Sequence, residues 1–378
     1  MKYPDYDRSS LSITASIAEY FGGRSSYPTL PEIDIRLCEE GIDKIVLVLA
    51  DGMGENLLKR HLGADSFLVQ HDRAAISAVF PSTTTAATTA IWTGVSPLEH
   101  GWLGWSLYFK EAAAQIDAFT GNEGHRGERF PTGSPARTLM PLPPALCGQT
   151  DAEAHMISAF DNYAGSGYIQ HAVKGLSDML ALARSILEKP GKKVVCVYCG
   201  QPDHSMHNVG VNAPETVEEF KKVNREIEAF YKNLKKDTLL IVTADHGLVD
   251  STEPVMLHEI RAIDECLWMP PSIEARASAF FVKPFRRAQF EREFNAACGE
   301  DFLLISREDA LSTNLFGRGI IHPKAEDFMG DYIACATGAR FLRYDTIACK
   351  VPNMIGKHAG LTDEEMTVPV ILARGERN

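Results

Sequence analysis

The stretch that most constrains this 378-residue chain is residues 238–250, TLLIVTADHGLVD. Its apolar run, 239–242, reads as a buried strand that stops at two adjacent ionisable side chains, Asp245 and His246, and then at Gly247. Ligands collect at the carboxyl ends of strands in open α/β sheets, so an Asp-His pair there has the position and chemistry of a metal-binding corner. A helix-capping Asp followed by an unrelated His would read the same from this stretch alone. Two other segments repeat the pattern. KIVLVLA, 44–50, is a continuous apolar run suited to a strand covered on both faces, and it ends at Asp51-Gly52-Met53-Gly54. The strand read over 192–198 is followed by GQPDHSMHNVG, in which Asp203 and His207, four apart, share one face of a helix.

Helices are read over 11–21, 55–61, 171–188, from Pro214 onward and over 285–297. Strands are read over 74–80, 278–282, 302–305, 332–336 and 368–373. This alternation predicts an α/β fold with a largely parallel central sheet flanked by helices on both faces. The length suits one catalytic domain over 1–378. Residues 102–165 change character: Trp102, Trp105, Tyr108 and Phe109 lead into a Gly- and Pro-rich run without periodicity. So long an irregular segment predicts an inserted cap that shapes substrate choice. After 74–80 comes PSTTTAATT, small hydroxyl residues leading into a buried helix. The free N–H groups and dipole at such a helix start favour an anion, and a hydroxyl there is placed to attack phosphorus. One more histidine, His358, lies between glycines in GKHAG, 356–360.

Composition narrows the class. The net charge of −12 argues against a partner that is a nucleic acid polymer, because little here would neutralise phosphates, yet bound cations would still admit a small anionic substrate. The N-terminus lacks the layout of a signal peptide, and no window reaches the roughly 18 apolar residues of a membrane span. Eight cysteines are too sparse for a disulfide scaffold. Cys196 and Cys199 fall inside a strand pattern that points them to opposite faces. The reading is a cytoplasmic protein with reduced thiols and no membrane partner.

At strand ends and loop turns stand Asp51, a hydroxyl among residues 82–85, Asp203, His207, Asp245, His246 and His358. Mixed nitrogen and oxygen donors suit zinc with an open coordination position. Two such ions about 3.5–4 Å apart clamp the attacking and leaving oxygens of a displacement at phosphorus. The motifs ADGMG, FPSTTTAATTAIWTGVSPLEHG, YCGQPDHSMHNVG, VTADHG and KHAGLTDEEMTVPVIL resemble those of the alkaline phosphatase superfamily, in particular its type I phosphodiesterase and nucleotide pyrophosphatase branch. The resemblance runs from about 44 to 373, interrupted by 102–165. It implies that Asp203, His207 and His358 hold one zinc, and that Asp51, Asp245 and His246 hold the other, with manganese as the alternative metal. It further implies that Thr84 is the nucleophile and binds the second metal.

The chain departs from that pattern in two places. Trp105 stands where such members carry an Asn that binds a phosphoryl oxygen, so its indole N–H is the substitute donor. Ala86-Ala87-Thr88 replaces the Pro-Asn-His run after the nucleophile, and the Arg of monoesterase members is missing. There is no Cys-x-Pro-x-Arg of sulfatases. His100 reads as a turn brace and His204 as a neighbour of the ligands, whereas His125, His155, His258 and His322 read as core or surface residues. The function implied is a two-metal hydrolase of phosphodiesters or nucleotide pyrophosphates, working through a phosphothreonine. The alternatives are a phosphomonoesterase or phosphonate-bond hydrolase, and a non-catalytic binder of a small phosphorylated ligand.

Overall fold

The computed structural model describes residues 1–124, 128, 135–160, 165–251, 253–346 and 354–377. The three apolar runs that end in ligand-type residues are adjacent strands near the middle of a seven-stranded sheet. Its order is Asp72–Ser77, Thr367–Arg374, Thr238–Thr243, Lys44–Ala50, Lys193–Cys199, Glu153–Ser158 and Ile169–Ala172. Lys44–Ala50 pairs in parallel with both neighbours, Ala50 opposite Cys199 and Leu49 opposite Thr243. The three strands therefore finish level, and the residues beyond them emerge at one edge. Every residue in all three is buried, which is why their sequences are continuous apolar runs and not alternating ones. Thr367–Arg374 runs antiparallel to its two neighbours, while the other pairings in this sheet are parallel.

Helices flank the sheet. Pro214–Tyr231 turns Phe220, Val223, Ile227 and Phe230 inward and packs with Leu176–Leu187, Glu55–His61 and Phe67–His71. Each such side chain contributes ~1.5–3 kcal/mol by leaving water. Ser10–Tyr20 packs on Thr84–Thr93, and Thr14 Oγ1 donates to the Ile91 carbonyl (2.6 Å). Among the described residues no helix is long and apolar enough to cross a membrane.

The segment expected as a cap, 102–165, divides in the structure. Ser106–Phe109 and Ala114–Asp117 end a second, antiparallel sheet ordered Phe302–Ser306, Tyr332–Ala336, Ala277–Phe280, Ser272–Ile273, Ser106–Phe109, Ala114–Asp117. Glu153–Ser158 instead belongs to the central sheet. Its apolar signal is broken by His155, which is buried because it meets Glu153 Oε1 (2.8 Å) and His171 Nε2 (3.1 Å). Residues 125–127, 129–134 and 161–164 of that segment, His125 among them, lie outside the described residues. The strand expected over 74–80 ends at Ser77, and the helix expected from 171 begins at Leu176, after a short strand at Ile169–Ala172.

Candidate metal centre

Three strand ends and two returning loops build the site. Asp51 follows the central strand, and its N–H donates to the Cys199 carbonyl (2.9 Å) while its own carbonyl accepts from Asp203 N–H (3.0 Å). Asp245 Oδ1 accepts from Gly52 and His246 N–H groups, both at 3.1 Å. Gly52 has a φ of +72°, and a Cβ there would stand 2.6 Å from Leu248 Cδ1 and 2.9 Å from Asp203 Cβ. Only glycine permits that approach. Asp203 opens the helix Asp203–Val209, which places His207 one turn on, its Nε2 3.3 Å from Asp203 Oδ2.

His358 arrives from far along the chain. Gly356–Lys357 pairs antiparallel with Val249–Asp250, and Ala359, at a φ of +95°, bridges to Ser82. Behind this loop Arg276 and Glu365 are fully buried and joined by two hydrogen bonds (2.7 and 2.8 Å). Glu365 also accepts from Gly360 N–H (2.9 Å), so the ion pair anchors the loop that carries His358.

The side chains converge as two groups, Asp51/Asp245/His246 and Asp203/His207/His358, with one ligand-type atom per residue inside 4.8 Å of the others in its group. Each histidine has Nδ1 tied to a main-chain carbonyl: His207 to Gly356 (2.7 Å), His246 to Gly247 (3.2 Å) and His358 to Ser82 (3.1 Å). Such a bond keeps the proton on Nδ1 and leaves Nε2 as a donor atom for a cation. Asp51 Oδ1, Asp203 Oδ1 and Asp245 Oδ2 are buried without a hydrogen-bond partner. Uncompensated buried charge costs several kcal/mol, and this donor set fits divalent metal.

Thr84 opens the helix Thr84–Thr93 and, unlike the buried Thr83 and Thr85, keeps access to solvent. Its Oγ1 lies 3.2 Å from His246 Nε2 and 3.5 Å from Asp51 Oδ2. Thr83 Oγ1 is committed to Glu274 (2.8 Å). Thr88 and Thr89 donate their hydroxyls to carbonyls one turn back (2.7 Å each), which lets a threonine-rich helix be buried.

Electrostatics follow from crowding. Burial, together with Asp245 and Asp203, raises the Asp51 pKa, and burial raises that of Asp245. Burial would raise Asp203 as well, but His207, His358 and His246 outweigh it and hold its pKa low. For His207 burial is outweighed by Asp203, so its pKa rises, whereas burial and His246 push that of His358 well down.

A cavity of about 1320 Å³ opens over the site, lined by Asp51, Thr84, Asp203, His207 and His358 at its base and by Trp105, Phe119 and Glu274 on its wall. Trp105 is 40% exposed; its main-chain N–H donates to Glu274 Oε1 (2.8 Å) and its indole is hydrogen-bonded to Asp117. Donation from that indole to a phosphoryl oxygen therefore requires the Asp117 bond to open. His100 braces a turn, its buried Nδ1 accepting from Trp102 N–H (3.0 Å), and burial drives its pKa down to about 3. His204 is exposed beside Asn208, while His322 caps a helix and His258 accepts from Asp345 N–H. Sequence reasoning missed Tyr198, whose hydroxyl donates to Asp51 Oδ2, and Glu274 and Arg276. A tyrosine one residue before the end of a ligand-bearing strand was a usable signal; Glu274 and Arg276 had none.

A family profile described as Type I phosphodiesterase / nucleotide pyrophosphatase matches residues 45–293, well over half the chain. Among curated proteins none matches this chain in sequence. Among solved structures, an inactive form of murine ectonucleotide pyrophosphatase / phosphodiesterase 5 in complex with AMP superposes with a TM-score of 0.60 at 15% identity, covering 87% of each chain. Phosphonoacetate hydrolase from Sinorhizobium meliloti 1021, in complex with phosphonoformate, gives 0.60 at 15% identity, covering 88% of this chain and 90% of its own. With its large central sheet flanked by helices the fold is that of the alkaline phosphatase superfamily, and by the extent of the sequence match the chain belongs to the type I phosphodiesterase / nucleotide pyrophosphatase family.

Proposed function

We propose that this protein is a two-metal hydrolase of small phosphate esters, with phosphodiesters or nucleotide pyrophosphates as its substrate class and Thr84 as the group that takes the phosphoryl. The observation that carries this reading is the Thr84 hydroxyl, on the cavity side of a helix start, 3.2 Å from His246 and 3.5 Å from Asp51. Asp51, Asp245, His246 and Thr84 would hold one ion; Asp203, His207 and His358 would hold the other. The donor set favours zinc, with manganese as the alternative. Bound divalent ions supply Lewis-acid polarisation of a phosphoryl oxygen and acidify a coordinated hydroxyl. The Thr84 oxygen then forms a bond to phosphorus as the ester oxygen leaves, and water later hydrolyses the phosphothreonine. The first N–H groups of Thr84–Thr93 face the anion. AMP and phosphonoformate, the ligands of the two similar structures, support a small phosphorylated substrate.

Thr84→Ala tests this. Turnover of bis(4-nitrophenyl) phosphate is expected to fall by at least ~10³-fold, the scale seen when a nucleophile leaves a preorganised site, while metal analysis still finds close to two ions per chain. Normal rates in the variant remove Thr84 from the role. The likeness to phosphonoacetate hydrolase keeps one second reading in play, cleavage of a phosphonate bond. Rates on phosphonoacetate above those on diesters and monoesters would favour it.

A further inference from the structure

Glu274 lies on the cavity wall next to the reacting threonine, and the chain strains to put it there. The preceding residue, Ile273, has a φ of +81°, a conformation that a β-branched side chain rarely adopts. It packs on Gly104, where a Cβ would stand 2.6 Å from Ile273 Cγ2. Strain of this kind persists where surrounding structure enforces it, and it concentrates at functional sites. Glu274 Oε1 accepts from both Thr83 Oγ1 and Trp105 N–H, each at 2.8 Å. Oε2 has no hydrogen-bond partner among the described residues, although the side chain lines the cavity. Burial pushes the Glu274 carboxyl up to about 7, offset in part by its bonds to Thr83 and Trp105 and by His207, while Asp117 adds to the rise.

Beside it, the rings of Trp105 and Phe119 meet edge to face, 6.1 Å between centroids, and Asp117 holds the indole. A free carboxylate oxygen next to exposed aromatic surface suits a cation. Two of the basic groups lining the same cavity are engaged elsewhere. Lys357 Nζ donates to the Ser251 and Met354 carbonyls over the Phe341 ring, and Arg343 is held by Asp345 at 2.8 and 3.0 Å.

We propose that Glu274 is the specificity-determining residue of this cavity, its free Oε2 binding an ammonium group on the organic portion of the phosphate ester and disfavouring a substituent that carries a carboxylate or a further phosphate. The inference rests on the reading of Thr84 as the reacting group. It narrows the substrate class to monoanionic esters of amino alcohols.

The test is calorimetric binding of 2-aminoethyl, n-propyl and 2-carboxyethyl methylphosphonates to the metal-loaded full chain. These ligands differ only in the terminal group. The wild type is expected to bind the 2-aminoethyl ester about tenfold more tightly than the propyl ester, a difference of ~1.4 kcal/mol, and the carboxyethyl ester least tightly. Glu274→Gln keeps an oxygen for Thr83 and Trp105 but removes the charge, so the ratio is expected to fall below about twofold, whereas Glu274→Asp preserves its direction. Equal wild-type affinities, or a preference that survives Glu274→Gln, overturn the proposal. Turnover of bis(4-nitrophenyl) phosphate, whose ester groups carry no charge, is read separately: ligand binding with the stated preference but no turnover would sink the hydrolase reading alone.

Discussion

His246 and His358 stack face to face, their ring centroids 3.9 Å apart and their planes 22° from parallel. The two rings belong to different ligand groups, so the groups share a wall. Burial and the neighbouring His246 push the His358 pKa well down, and neutral imidazole is the form that binds metal. On the two-metal reading, removal of the ions would leave the buried carboxylates of Asp51, Asp203 and Asp245 uncompensated. Chelation is expected to lower the melting temperature and abolish activity, and zinc is expected to restore both. At a free concentration of a hundred times Kd, one bound ion adds ~2.7 kcal/mol. Scanning calorimetry of chelated and zinc-loaded protein checks this, and coincident transitions would rule out metal in this cluster.

Tyr198 offers a test of the ligand set without touching a ligand. Its hydroxyl donates to Asp51 Oδ2 and leaves Oδ1 for a cation. Partners that orient a ligand are typically worth 10–100-fold in metal affinity. Tyr198→Phe is expected to weaken zinc binding by about that factor, read by competition with a fluorescent chelator. An unchanged affinity would mean that this hydroxyl orients nothing.

The Arg276–Glu365 pair predicts a stability loss coupled to a loss of metal. Arg276 also donates to the Arg340 (2.7 Å) and Gly338 (2.9 Å) carbonyls. Arg276→Met strands Glu365 as a buried charge, at a cost of ~3–5 kcal/mol, and loosens the loop around Gly360. Adding Glu365→Leu is expected to recover part of the stability in urea denaturation but not the metal affinity, because the Gly360 contact stays lost. Recovery of both would show that the pair does not position His358.

Glu55 gives the metal-free protein a pH-dependent stability. Burial pushes its pKa up to about 7, with Lys59 offsetting part and neighbouring Asp72 adding to the rise. The unfolded chain releases this proton near the ordinary glutamate value of about 4.3. The folded chain therefore holds the extra proton between those values. Its contribution is complete below the unfolded value and is lost as pH climbs through about 7. Glu55→Gln is expected to flatten this decline and to be the more stable protein at about pH 8. Urea denaturation across the window decides, and a parent protein whose stability keeps rising from about pH 5 to about pH 8 contradicts it.

Much of the candidate centre was legible in sequence because Asp51, Asp203, His207, Asp245 and His246 stand just past strands buried on both faces. KIVLVLA, KVVCVYC and TLLIVT are unbroken apolar runs, so what stands just past each run is local information. The second sheet left a fainter trace. Ser272–Ile273, Ser106–Phe109 and Ala114–Asp117 are two to four residues long, shorter than the span over which a period of two can be recognised. The contact of Glu274 with Thr83 joins positions 191 apart, and nothing near either residue encodes it. Glu153–Ser158 was hidden for a different reason: a buried histidine, satisfied across strands, interrupts the hydrophobic run that would have announced it.

Thr367–Arg374 lies between Asp72–Ser77 and Thr238–Thr243, inside the sheet and away from its rim. On the ribosome, the strands on either side have emerged long before this one, and an unpaired gap with exposed edges persists between them. His358 and Glu365 come out only shortly ahead of it. The nascent polypeptide thus carries an open seam, and the group Asp203/His207/His358 stays incomplete, until His358 and this strand have emerged and the strand pairs with both neighbours.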